Sequence, residues 1–269
     1  VNTVSIVGVG LIGGSFALAL RKAGFSGRII GVSSPETIRA AVARGVIDEA
    51  KPLEHAAAIS DLVYLSQPID RIIQTIAIID AHVRPGTLIT DAGSTKAAIV
   101  AAADRSIRHG RFVGGHPMAG KESRGVQEAA ADLFKGRPYV LTGHDTTLES
   151  WIERIGARLE ILHPEEHDRL VALTSHLPQL LSTALASVIR SEPNAPKVAG
   201  PAAIEMTRLA QSPYEIWSDI FSTNAGPIDA ALGLFIQKLT ALRYIVRHPS
   251  MEEEFDTAAE TSRGLREVS

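Results

Sequence analysis

The residues best suited to chemistry lie in two short stretches, Asp91-Ala92-Gly93-Ser94-Thr95-Lys96 and Gly114-Gly115-His116-Pro117-Met118-Ala119-Gly120. Each follows a run that reads as a strand and is expected to form a loop. Flanking glycines let backbone come close to a ligand, and the proline stiffens the approach. An imidazole there accepts a proton near neutral pH. Oxidation of an alcohol by a nicotinamide needs such a base, because the hydroxyl must lose its proton as hydride leaves the carbon. Ser94 is placed to orient the imidazole or the hydroxyl. A lone loop histidine is more often bonded only to backbone, but the glycine and proline frame favours the catalytic reading.

The elements that must position these residues begin almost at the first residue. Val4 to Val7 is an apolar, β-branched run typical of a buried strand. Gly8-x-Gly10-x-x-Gly13 follows at once, and a helix through Phe16 to Leu20 comes next. This strand–turn–helix context is what the dinucleotide fingerprint requires. The first glycine permits the turn, the second lets backbone approach a pyrophosphate, and the third lets helix and strand pack closely. Free N–H groups at the helix start, around Leu11 and Ile12, favour the phosphate charge. The second strand, Arg28 to Val32, ends in Ser33-Ser34-Pro35 rather than in a carboxylate. A carboxylate there would accept from the adenosine ribose and repel a 2′-phosphate. Serine can donate to that phosphate, so the cofactor is NADP or NAD, with NADP favoured. Ser33 also suits a cap on the helix that starts at Pro35. Ser66 and Pro68 end a later strand and are expected over the cofactor.

Strands and helices alternate as far as Pro138 to Thr142, which predicts a Rossmann-type, doubly wound parallel sheet over residues 1–150. Residues 151–269 read as an all-α domain, with a long helix from Pro164 to Arg190. From Ile228 through Leu232, Phe235, Leu239 and Leu242 to Ile245, apolar residues recur at helical spacing. That stripe is too wide for one helix of a small monomer and predicts a bundle that also makes a homodimer. Ser250 to Ser269 reads as a frayed helix or tail. The net charge of -3 gives no argument for nucleic acid. The absence of cysteine excludes disulfides and thiolate catalysis. No stretch reads as a membrane span or signal peptide, so a cytoplasmic protein is expected. His163 and His167 flank Glu165-Glu166 but lack the rest of a zinc motif, so no metal is expected.

Several motifs together resemble the prephenate dehydrogenase family, which includes arogenate and cyclohexadienyl dehydrogenases. They are Gly8-x-Gly10-x-x-Gly13-Gly14-Ser15, Asp91-x-Gly93-Ser94-x-Lys96, Gly114 to Gly120 with Glu122, Ser175-His176-Leu177-Pro178, and Thr207-Arg208-Leu209-Ala210 through Trp217-x-Asp219-Ile220. The resemblance implies NAD(P)-dependent oxidative decarboxylation of prephenate to hydroxyphenylpyruvate in tyrosine biosynthesis. It implies His116 at the ring hydroxyl, Ser94 orienting it, and Arg208 on a substrate carboxylate. Ser175, His176 and Glu122 are then expected near the substrate. Many relatives follow Ser-His-Leu-Pro with a second histidine, where this chain has Gln179. A neutral glutamine leaves open prephenate or its amino counterpart arogenate at the side-chain end. The long helix has no lysine between Pro164 and Arg190, which argues against dehydrogenases that use one there. A nucleotide sensor without turnover is the non-enzymatic alternative.

Overall fold

The computed structural model describes residues 1–121 and 123–268. Its first part runs β1 (Thr3–Val7), α1 (Leu11–Lys22), β2 (Arg28–Val32), α2 (Pro35–Ala43), β3 (Glu49–Ala50), α3 (Leu53–Ile59), β4 (Leu62–Leu65), α4 (Ile69–Ile79), β5 (Leu88–Asp91), α5 (Ala97–Ser106) and β6 (Arg111–Val113). β1 is buried at every position, which is why its sequence lacks polar alternation. The sheet order is β3-β2-β1-β4-β5-β6, and every pairing is parallel. This is the doubly wound order, in which the direction of winding reverses between β1 and β4. Ligands bind at such a reversal, outside the carboxyl ends of the strands.

Next come β7 (Gly115–Pro117), β8 (Pro138–Leu141), α6 (Thr146–Arg154) and β9 (Arg158–Ile161). They correct two expectations. His116 is not in a loop but on β7, which pairs antiparallel with β8 in the register His116↔Val140. Nor is β8 the last strand of the parallel sheet. It forms a separate three-stranded sheet with β7 and β9, so the region after residue 150 is not purely helical. The cause is local. Gly115 donates its N–H to Asp91 Oδ1 at 3.0 Å, which turns the chain out of the first sheet directly after β6. The two sheets share a core in which Phe16 stacks on Tyr64 at 3.9 Å and the Tyr139 hydroxyl donates to that of Tyr64 at 3.1 Å. Burial pushes both phenols up, so they remain neutral donors.

The rest of the chain is helical: α7 (Pro164–Val171), α8 (Leu177–Arg190), α9 (Pro201–Thr207), α10 (Tyr214–Thr223), α11 (Ala225–Ile245) and α12 (Ser250–Val268). The last was expected to fray but is a regular helix. The long helix expected from Pro164 to Arg190 is interrupted by a π-helical turn, Ala172–His176, between α7 and α8. Pro178 accounts for it, since proline has no N–H for the carbonyl of Thr174 and its ring clashes there in regular geometry. Contacts divide the chain into two units, Val1–Asp168 with Ser212–Thr223, and Arg169–Gln211 with Asn224–Ser269. Among the described residues, no helix is long and apolar enough to cross a membrane.

The most consequential polar contact of the first unit is the fully buried ion pair of Lys96 with Asp91. Lys96 Nζ also donates to the Gly115 carbonyl at 2.7 Å, and Asp91 also accepts from Gly93 N at 2.7 Å. Replacing Lys96→Met strands a buried carboxylate, and unfolding free energy should drop by about 3–5 kcal/mol. Thermal unfolding checks this, with Asp91→Asn in the same chain expected to recover part of the loss.

Candidate active site

At the glycine turn, Gly8 has φ +96°, a left-handed value that favours glycine. A Cβ on Gly13 would collide with both the Gly8 carbonyl oxygen and Ser66 Oγ. A Cβ on Gly10 would meet nothing within 4 Å. The third glycine thus serves packing, while the second leaves open space above the start of α1, as a dinucleotide phosphate needs. Ser66 Oγ donates to the Gly8 carbonyl at 2.8 Å and braces the turn from β4. A cavity of about 490 Å³ opens here, lined by Gly8, Gly10, Ser33, Ser34, Ser66 and Pro68 among others. Thr37, Gln67 and Gly125 also line it, and sequence reasoning missed them. Leu11 and Ile12 open α1 beside it. The helix cap falls on Ser34 and not on Ser33: Ser34 Oγ accepts from Thr37 N at 3.3 Å. Ser33 is exposed at the end of β2.

His116 is 9% exposed, and its Nδ1 lies 2.8 Å from Nε2 of His167. His167 Nδ1 in turn lies 2.7 Å from Asp168 Oδ1. Asp168 accepts the backbone N–H of Lys96 at 2.7 Å and of Ala97 at 2.9 Å, at the start of α5. His167 holds the His116 ring at Nδ1. Ser94 lies partly buried in the loop between β5 and α5. Sequence reasoning set His167 aside with His163. The two separate in space, since His163 makes an exposed pair with Glu165 at 2.6 Å while His167 is fully buried. A signal was present. Pro164, His167, Asp168, Val171 and Ala172 are all buried, and their spacing of i, i+3, i+4, i+7 and i+8 marks the inward face of a helix.

In the second unit, Ser175 and His176 lie in the π-helical turn, a form often found at functional sites. His176 is buried, with Nδ1 3.1 Å from Asn224 Nδ2. Arg208 opens a 3-10 turn, Arg208–Gln211, and is about half exposed, with Glu205 at 4.0 Å. Gln179 is buried and donates Nε2 to the Leu209 carbonyl at 2.9 Å. Ser182 Oγ accepts from Ala210 N at 3.0 Å. Gln179 and Ser182 thus pin the turn that presents Arg208. Back in the first unit, Asp219 accepts from Asp70 N at 3.2 Å and caps α4, and Trp217 Nε1 donates to Ser212 Oγ at 2.9 Å. Glu122 lies outside the described residues.

Comparison with known proteins gives one consistent likeness. The family model described as the prephenate dehydrogenase nucleotide-binding domain matches residues 16–163, and the dimerization-domain model matches residues 163–260. A prephenate dehydrogenase of Lactococcus lactis is 34% identical over 230 residues, covering 82% of this chain and 64% of that protein. The chain therefore spans under two thirds of that relative's length. Among solved structures, the prephenate dehydrogenase of Aquifex aeolicus in complex with hydroxyphenyl propionate and NAD+ superposes with a TM-score of 0.90 at 31% identity, covering 100% of this chain and 99% of that one. The arogenate dehydrogenase of Synechocystis superposes with a TM-score of 0.84 at 29% identity, covering 99% and 100%.

The packing at Gly13 leaves no room for a methyl group. Gly13→Ala should destabilise the protein by about 1–3 kcal/mol through overpacking and weaken nicotinamide cofactor binding at least tenfold. Thermal unfolding and a cofactor titration on the same sample measure both.

Proposed function

The chain belongs to the prephenate dehydrogenase family, and from that premise we propose that it converts prephenate to hydroxyphenylpyruvate and carbon dioxide with a nicotinamide cofactor. The observation that carries the reading is His116. It is nearly buried, anchored through Nδ1, and held on β7 beside the carboxyl end of β5. The glycine turn lies at that same end of the sheet. The open space at Gly10 and the cavity beside it suit a dinucleotide, held by Gly8, Gly10, Gly13, the N-terminus of α1, Ser33, Ser34, Ser66 and Pro68. When bound, the nicotinamide accepts hydride from the hydroxyl-bearing ring carbon.

His116 takes the hydroxyl proton as the carbon is oxidised. The resulting ketone is conjugated with the ring, carbon dioxide leaves, and aromatisation makes the step one-way. Ser94 helps orient the reacting hydroxyl. Arg208 is assigned a substrate carboxylate, for which a guanidinium offers two-pronged donation. Ser175 and His176 are assigned to the same substrate. Gln179 supports a second reading, arogenate. It is neutral and its Nε2 is bonded to Leu209, so it supplies no cation for a keto-acid side chain.

For the cofactor we favour NADP. The cavity beside β2 presents Ser33, Ser34 and Thr37, and among the described residues no carboxylate lines it. We also propose a homodimer through the second unit. Leu234, Ile236 and Leu239 on α11 are 60%, 60% and 50% exposed, which is apolar surface on opposite sides of the helix that a second copy would cover.

Reduced-nicotinamide formation with prephenate, compared between NADP and NAD, tests the proposal. Turnover should be faster with NADP. Turnover with arogenate alone would replace the substrate, and cofactor binding without any turnover would leave the sensor. His116→Asn should cut turnover by roughly a hundredfold or more while cofactor binding persists; near-normal turnover would remove the assigned role. Ser33→Asp should lower the ratio of NADP to NAD efficiency about tenfold or more, because the new carboxylate repels a 2′-phosphate. An unchanged ratio would mean that this strand end does not read the ribose.

A further inference from the structure

We infer that His167 and Asp168 are positioning residues for His116, setting its tautomer so that the lone pair sits on Nε2 and stabilising the positive charge the ring acquires. The inference rests on His116 being the base and deepens that reading. It follows from counting donors along a buried chain. Asp168 already accepts two backbone N–H groups, from Lys96 and Ala97, an arrangement that suits the ionised carboxylate. A carboxylate has no proton to give, so in the 2.7 Å contact with His167 the donor is Nδ1–H of His167. A neutral His167 then carries its lone pair on Nε2. In the 2.8 Å contact between the rings, His116 Nδ1–H must donate to it. His116 is left with Nε2 unprotonated, the nitrogen a base uses.

When Nε2 takes the substrate proton, His116 becomes an imidazolium. Its Nδ1–H still donates to His167, and His167 to Asp168. No bond breaks in the pair, and the proton stays on His116. Among the described residues, the charged groups bonded next to this chain include Asp91 at the end of β5 and Lys96 in the loop before α5. They form a buried ion pair with each other. β8, on the far side of β7, places Val140 opposite His116. Asp168 is a carboxylate joined to His116 through the ring of His167.

The test has a spectroscopic and a kinetic arm. Nitrogen-15 NMR of the imidazoles in the unaltered protein, with His116 assigned through His116→Asn, should show the neutral ring protonated at Nδ1. The Nε2–H form would overturn the inference. That reading needs no substrate, so it stands apart from whether prephenate is turned over. The kinetic arm compares His167→Gln with His167→Leu. In the first variant, the amide oxygen of the introduced glutamine can still accept from His116 but cannot relay the Asp168 charge. The leucine does neither. Expected are losses in kcat of about tenfold for glutamine and about a hundredfold for leucine, with KM and cofactor affinity little changed. The acid limb of the pH–rate profile should move to lower pH by about half a unit or more in both, because the His116 imidazolium has lost its support. An acid limb at the same pH in all three proteins would overturn the inference, since a scaffolding role alone lowers rate without moving it.

Discussion

The buried pair of Asp91 and Lys96 is the contact on which the rest of the site depends. Asp91 ends β5, and its carboxylate also accepts from Gly93 and Gly115. Lys96 returns to the same point and adds the Gly115 carbonyl. The backbone on either side of the pair is thereby tied to β7, which carries His116. Lys96 serves twice, because its own N–H binds Asp168 and so reaches His167. Burial lowers the lysine pKa, and the facing carboxylate works against that, so the charged pair is held by geometry more than by net energy. A single swap of either member for an apolar residue leaves the other stranded.

The glycine turn imposes the second constraint. Its three glycines differ in purpose, and the structure separates them: strain at Gly8, open space at Gly10, contact at Gly13. Ser66 joins this turn from β4, across the point where the sheet changes winding direction. The nucleotide end of the site is thus built from the two central strands, and the chemical end from β5 and β7. Both ends belong to the first unit, as do the hydrogen bonds that join His116, His167 and Asp168.

What was legible in the sequence was local. β1, the glycine turn and β2 follow from apolar runs and from residues whose backbone needs are fixed, and β2 falls at the expected residues. His116 stood out because glycine and proline flank it. What escaped depends on partners distant in the chain. β7 is three residues long and exists only because β8 lies beside it. His167 lies 51 residues from His116, and between two glutamates and an aspartate it reads as a solvated surface histidine. Only the inward spacing shared with Pro164, Val171 and Ala172 marks it otherwise. Gln179 read as a substrate contact because of its place in a motif, and its bond to the Leu209 carbonyl, 30 residues on, has no mark in the sequence.

The π-helical turn makes chain length itself a structural quantity here. A π turn accommodates one residue more than the same stretch of α-helix, and each residue of an α-helix advances the face by about 100°. Here the extra residue is absorbed within Ala172–His176, so the faces of α7 and α8 stay in phase across it. In unbroken α geometry the same residue would instead turn everything along α8 by about 100° relative to α7. Gln179 and Ser182, with the turn they pin at Arg208, would turn with it, although no residue in contact with that turn had changed. Between Val171 and Leu177, the count of residues carries information that their identities do not.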